Sequence, residues 1–160
     1  MAWRQSGSLR SRIAQELELI RVFWDTNLFV YLWEGSVRTR QVEALINWQH
    51  QHEAELVTST LTIGELLVHP LRQNREDLAD RYLASFSQLQ VVAFDESAAY
   101  AFAQLRAQYG RLAPPDAIQL GCASVAAVDF FITNDRRLSR YSVPRVSAIR
   151  ALADVETGRI

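Results

Sequence analysis

The chain contains no lysine; all 17 of its basic residues are arginine. That excludes a P-loop lysine and a Schiff-base lysine. It argues against phospho-acceptor domains of the response-regulator type, which set a lysine beside an acidic pocket. It also argues against haloacid-dehalogenase-type phosphatases, which add a D-x-D pair where this chain reads Asp25-Thr26-Asn27. Cysteine is almost absent. Cys122 is the only one, so no internal disulfide can form, and its small-residue surroundings, GCASVAA, read as core. Cytoplasm is the expected compartment. No apolar run reaches the roughly 18 residues of a membrane span, and the opening MAWRQSGSLRSRIAQ lacks the apolar centre of a signal peptide. Histidine offers no metal set: His50 and His52 are two apart and face different ways on a helix, and His69 precedes a proline. Net charge is −1, so there is no bulk electrostatic pull toward nucleic acid.

What is present is an ordinary globular composition, 49% apolar and 22% charged over 160 residues, enough for one domain with a real core. The expected organisation is an N-terminal arm over 1–19, a folded domain over 20–150 and a C-terminal tail over 151–160. Short apolar runs at Ile20–Trp24, Glu55–Thr58, Gln90–Phe94 and Phe130–Thr133 read as strands, with a short fifth at Val143–Val146. Between them lie helical patterns. Thr26–Glu34 stops at Gly35-Ser36, and Val37–Glu53 follows it. Thr60–Val68 ends at His69-Pro70, and Asn74–Phe86 comes next. Asp95 caps a helix running to Tyr109, and Pro114-Pro115 opens one running to Val128. Strands separated by helices imply an α/β fold with a mostly parallel sheet and right-handed crossovers.

Four acids stand where strands hand over to helices, or within an apolar helix: Asp25 in FWDTN, Glu65 in TSTLTIGELL, Asp116 in APPDAIQL and Asp135 in FITNDRRL. Acids seldom sit in such places without a charge partner. Each has a local explanation. Asp25 and Asp135 suit caps or turns, Glu65 suits a capping box with Thr62, and Asp116 suits the positive end of a helix dipole. Together they suggest more, because in an open α/β sheet the carboxyl edge of the strands is where ligands bind. Carboxylates converging there repel one another unless a cation holds them. Hard oxygen ligands select Mg²⁺ or Mn²⁺, and such ions support in-line attack on phosphorus without a protein nucleophile. Asp129 is ambiguous: it either begins the fourth strand or lies close enough to tune the cluster.

In motif and order these stretches resemble the PIN-domain nucleases, most closely the VapC-like toxins of toxin–antitoxin pairs. Asp25-Thr26-Asn27, the Glu65 segment TSTLTIGELLVHPLR, PPDAIQLGCA with Asp116, and FITNDRRL with Asp135 carry the likeness, over about Val22 to Val146. Gln119 departs from it, since many relatives place histidine there. The resemblance implies a three-layer α/β/α domain with four to five strands. It also implies an Mg²⁺- or Mn²⁺-dependent endoribonuclease acting on structured RNA of the transfer or ribosomal class. Asp25, Asp116 and Asp135 would then be metal ligands. Glu65 would bind the metal directly or through a water and help orient the attacking water. Arg72, Arg75, Arg111, Arg136, Arg137 and Arg140 are the arginines expected to meet phosphates. A homodimer silenced by a cognate antitoxin protein is implied as well. The run LFVYLW at Leu28–Trp33 is apolar nearly all round, so either a second helix layer or a partner must cover it. The rival reading is a non-catalytic RNA- or protein-binding module of the same fold. A DNA-directed nuclease of the superfamily is a third.

Overall fold

The computed structural model describes residues 19–155. The expected arm up to residue 18, and tail residues 156–160, lie outside that range. Five strands form one sheet: β1 (Arg21–Trp24), β2 (Glu55–Ser59), β3 (Gln90–Val92), β4 (Phe130–Thr133) and β5 (Ala148–Ala151). All pairings are parallel and the order is β3-β2-β1-β4-β5. The chain winds outward from β1 through β2 and β3, then returns to β1's other side for β4 and β5. That reversal makes the carboxyl ends of β1 and β4 the topological switch point, the crevice where open α/β sheets bind ligands.

The helices are α1 (Thr26–Trp33), α2 (Thr39–Gln51), α3 (Thr60–Arg72), α4 (Glu76–Phe86), α5 (Glu96–Gln108), α6 (Pro114–Ala126) and the single turn α7 (Leu152–Val155), with a 3₁₀ turn over Arg136–Arg140. Strand alternation sorts them into layers. Phe23, Val57, Phe131 and Ile149 point to one face, where α5 and α6 pack through Ala98, Leu105, Ala117 and Leu120. Val22, Trp24 and Ile132 point to the other, against α1–α4 and α7 through Leu28, Leu45, Leu66, Phe86 and Leu152. The result is the expected three-layer α/β/α architecture. Among the described residues, no helix is long and apolar enough to cross a membrane.

Several boundaries fall within about two residues of expectation, such as β3 ending at Val92 and not Phe94, and two differ by more. The fifth strand lies at Ala148–Ala151, not Val143–Val146. Pro144 has no N–H for a ladder, Arg145 takes a positive φ of 59°, and the Val146 N–H turns back to the Val143 carbonyl at 3.2 Å, so that stretch is a turn. Helix α3 does not stop at His69-Pro70 but runs to Arg72. So close to the helix end, Pro70 forfeits a single ladder bond. The turn beyond it closes by N–H donation from Gln73 and Arg75 to the Pro70 carbonyl, at 3.2 and 2.9 Å. Gly35, with φ of 76°, breaks the chain after α1 as its position suggested. Of the covers foreseen for Leu28–Trp33, α4 supplies one within the chain. Trp33 packs on Tyr82 and Phe86 with ring centroids 4.6 and 5.5 Å apart, leaving Val30–Trp33 half-buried.

Candidate acidic site at the sheet edge

Asp25 follows β1 directly, and its N–H continues the ladder to the Ile132 carbonyl at 3.1 Å. Its side chain is 9% exposed. Thr133 Oγ1, at the end of β4, donates to Oδ2 at 2.7 Å, and the Thr26 N–H donates to Oδ1 at 2.8 Å. The capping role is therefore real, but it does not neutralise the charge. Burial, reinforced by the charges of Asp116 and Glu65 and opposed by the two hydrogen bonds, pushes the Asp25 carboxyl up to about 6.

Glu65 is not half of a capping box. The N-cap of α3 is Ser59, whose hydroxyl accepts from the Thr62 N–H, so Thr62 lies inside the helix and its carboxylate neighbour is free for another use. Thr26 Oγ1, at the start of α1, donates to Glu65 Oε2 in a short hydrogen bond. Asp116 sits in the first turn of α6 behind Pro114 and Pro115, half-buried. Burial is the main cause that raises its pKa, with Asp135 and Glu65 adding to it and Arg137 opposing. A helix start alone would stabilise the carboxylate; the net shift here is the other way, with burial first. Asp135 caps the 3₁₀ turn by accepting from the Arg137 N–H at 2.9 Å. The Arg137 side chain holds the same carboxylate, and that hydrogen bonding keeps Asp135 below the usual carboxylate range.

Asp25, Glu65 and Asp116 line one open cleft of about 400 Å³, with Thr26 and Gln119 in its floor. Asp116 also lines a smaller adjoining recess with Asp135, Arg111, Arg137, Arg140 and Tyr141. The four acids thus meet as a chain of neighbours, with Asp116 at the join. Of the arginines, Arg111, Arg137 and Arg140 reach the site. Arg136 leans toward Asp154 at 4.0 Å, Arg75 is forked onto Asp77 at 2.9 and 3.0 Å, and Arg72 is exposed at the end of α3. None of these three lines either recess. Asp129 does not tune the cluster: it precedes β4 at the opposite edge and accepts from the Arg21 N–H at 2.8 Å. Sequence reasoning passed over Thr133 and Tyr141, and gave Thr62 only a capping role. A threonine buried at the end of an apolar strand, as in FFIT, is the signal that would have found the first.

The donor set is all oxygen and partly buried, with mutual repulsion on Asp25 and Asp116, which suits a hard divalent cation. It is not preassembled. Among the described residues, no three carboxylate, imidazole or thiol groups are drawn together tightly enough to hold one ion.

A parallel α/β/α domain with acids gathered at its switch point defines a class that sequence comparison makes specific. The PIN domain family matches residues 22–144, and the chain belongs to that family. No curated protein matches it in sequence. In fold it is similar to a chain of the VapBC2 complex of Rickettsia felis bound to promoter DNA (TM-score 0.65, 14% identity, 82% of this chain and 98% of that one). A chain of DNA-bound VapBC from Salmonella typhimurium is also similar (TM-score 0.62, 22% identity, 84% and 99%). So is a chain of VapBC-5, a member of the VapBC family of toxin–antitoxin systems, from Mycobacterium tuberculosis (TM-score 0.53, 24% identity, 82% and 96%). At these identities the likeness is one of fold.

Proposed function

We propose that this protein is an endoribonuclease that hydrolyses RNA phosphodiester bonds with Mg²⁺ or Mn²⁺ held among Asp25, Glu65, Asp116 and Asp135, and that it is the toxin of a toxin–antitoxin pair. The observation that carries this reading is the meeting of the four acids, from four separated segments, at the switch point of the sheet, with the pKa values of Asp25 and Asp116 raised by burial first and by neighbouring acids of the set second.

A divalent cation at this site supplies Lewis acidity and offsets charge building on the scissile phosphate. The chain's own groups do the rest. Asp25, locked by Thr133 and the Thr26 N–H, is the rigid ligand. Asp116 faces both recesses and so holds the boundary between cation and substrate. Glu65, held through one oxygen by Thr26, lines the cleft and would accept a hydrogen bond from the attacking water and align it. Arg111, Arg137 and Arg140 give the neighbouring recess positive charge for a flanking phosphate. Substrates of the transfer or ribosomal RNA class, a homodimer and a silencing antitoxin complete the proposal. The half-buried stripe Val30–Trp33 offers the antitoxin an apolar seat, and the Mycobacterium tuberculosis structure that this chain is similar to is a member of a toxin–antitoxin family.

The test is cleavage of structured RNA by purified protein. Activity is expected with Mg²⁺ or Mn²⁺, is lost in EDTA, and returns when Mn²⁺ is added in excess. Full cleavage in EDTA by protein free of contaminating nuclease would sink the mechanism. Metal binding and RNA binding without cleavage would favour the non-catalytic module.

A further inference from the structure

Gln119 is 3% exposed, one helical turn beyond Asp116 on α6, and it makes three side-chain hydrogen bonds beneath the acidic cleft. Its Nε2 reaches Thr26 Oγ1 at 3.0 Å and Thr62 Oγ1 at 2.9 Å, and its Oε1 accepts from Ser59 Oγ at 2.6 Å. The direction of these bonds follows from counting hydrogens. Each hydroxyl has one to give. Thr26 gives its hydrogen to the carboxylate of Glu65, which as an anion only accepts. Thr58 Oγ1 shares its hydrogen between the Trp24 carbonyl at 3.0 Å and Thr62 Oγ1 at 2.9 Å, and Thr62 Oγ1 lies 3.2 Å from Thr26 Oγ1. One link therefore runs from Gln119 through Thr26 to Glu65. It begins on an amide N–H that donates and ends on a carboxylate that accepts, which leaves the Thr26 hydrogen to Glu65. The second hydrogen of the same amide nitrogen goes to Thr62.

We propose that Gln119 is a positioning residue: by donating to Thr26 and Thr62 it forces the Thr26 hydroxyl toward Glu65 and holds that carboxylate at the cleft wall for the cation. The inference rests on the metal reading of the cleft. Gln119 thereby also links α6, which carries Asp116, to α1 and α3, which carry Thr26 and Glu65. Groups that orient metal ligands from behind are worth roughly 10–100-fold in affinity when removed.

The experiment is calorimetric titration of Mn²⁺ into metal-free wild type, Gln119→Met, Gln119→His, Glu65→Gln and the double variant Glu65→Gln/Gln119→Met, each first shown by circular dichroism to melt cooperatively. Methionine fills the space but gives no hydrogen, and Mn²⁺ affinity is expected to fall about 10-fold. Histidine keeps one N–H to offer and should restore affinity to within about 3-fold of wild type. In the Glu65→Gln background the methionine change should cost less than about 2-fold, because the link it breaks has already lost its carboxylate. A role limited to packing predicts equal losses with methionine in both backgrounds, and that result overturns the inference. So does a folded Gln119→Met that binds Mn²⁺ like wild type, while wild-type binding leaves the metal reading intact. No Mn²⁺ binding by wild type overturns both. Should Gln119→Met fail to fold, Thr26→Val breaks the same link from its other end and carries the same expectation.

Discussion

Arg137 holds Asp135 as a fork, two residues along the same turn: Nη2 donates to Oδ2 at 2.7 Å, and Nε sits 3.0 and 3.1 Å from the two carboxylate oxygens. The Arg137 side chain is 75% exposed, so water and salt screen the pair and hold it weakly. The guanidinium occupies the carboxylate that the metal reading needs as a ligand, and a divalent cation must displace it.

Arg137→Ala is therefore expected to act with opposite signs on two ligands. Mn²⁺ affinity rises several-fold, because Asp135 is released. RNA affinity falls, and its salt dependence becomes shallower by about 0.7 in log–log slope for one lost phosphate contact on a single strand. Calorimetry for the metal, and filter binding of RNA across a salt series, read the two effects. A fall in both affinities would mean that the fork orients Asp135 instead of masking it.

Burial raises Asp25 to about 6, against about 3.9 for an aspartate in an unfolded chain. Between those values the folded protein keeps a proton that the unfolded chain has released. The stability tied to that proton is complete below about pH 4, declines as pH rises through about 6, and is gone above it; the span is on the order of 3 kcal/mol. Asp116 is shifted the same way. Urea unfolding midpoints in EDTA should fall from pH 4 to pH 7 in wild type, and fall much less in Asp25→Asn. Parallel curves for the two proteins would show that the strain resides elsewhere.

Asp116→Asn keeps the shape of the side chain and removes one of the repelling charges. RNA cleavage should vanish, while the metal-free protein melts at or above the wild-type temperature. Saturating Mg²⁺ should stabilise wild type by about 2.7 kcal/mol at about 100 times the dissociation constant, and the variant far less. If Asp116 served only as a helix start, asparagine would do as well, neither protein would respond to Mg²⁺, and any activity would survive. Equal shifts in melting temperature on adding metal would remove Asp116 from the ligand set.

Gly121 sets how closely α6 approaches α5. A Cβ built there meets the Ala98 carbonyl oxygen at 3.0 Å and the Phe102 nitrogen at 3.1 Å, both backbone atoms that cannot swing aside. Gly121→Ala should destabilise the fold by about 1–3 kcal/mol despite alanine's better helix propensity. Because α6 carries Asp116 and Gln119, Mn²⁺ affinity should drop as well. A variant as stable as wild type would show that the two helices part at little cost.

Much of this was written locally. The alternation of short apolar runs with helical patterns sufficed for a parallel α/β sheet. Asp95 caps α5 by accepting from the Ala98 N–H at 3.0 Å, and Pro114-Pro115 opens α6, both as their positions required. The four acids stood out because charge is costly where strands give way to helices. The PIN family match, over residues 22–144, spans all four of these stretches. Local signals failed in two ways. Pro70 remains helical because the turn just beyond it closes onto its carbonyl from Gln73 and Arg75, a detail a helix-stop rule does not carry, and the fifth strand sits at Ala148–Ala151, where it pairs with β4. What became of each acid was likewise invisible in sequence. Asp25 is buried against Thr133, 108 residues away. Glu65 is held by Thr26, which Gln119 reaches from 93 residues away, and Asp135 turns to its own neighbour Arg137. Periodicity and capping are properties of a few adjacent residues, and a sequence displays them directly. The partner a buried hydroxyl or carboxylate finds depends on which strands lie side by side, and that is settled only when the whole core packs and every buried polar group must be satisfied at once.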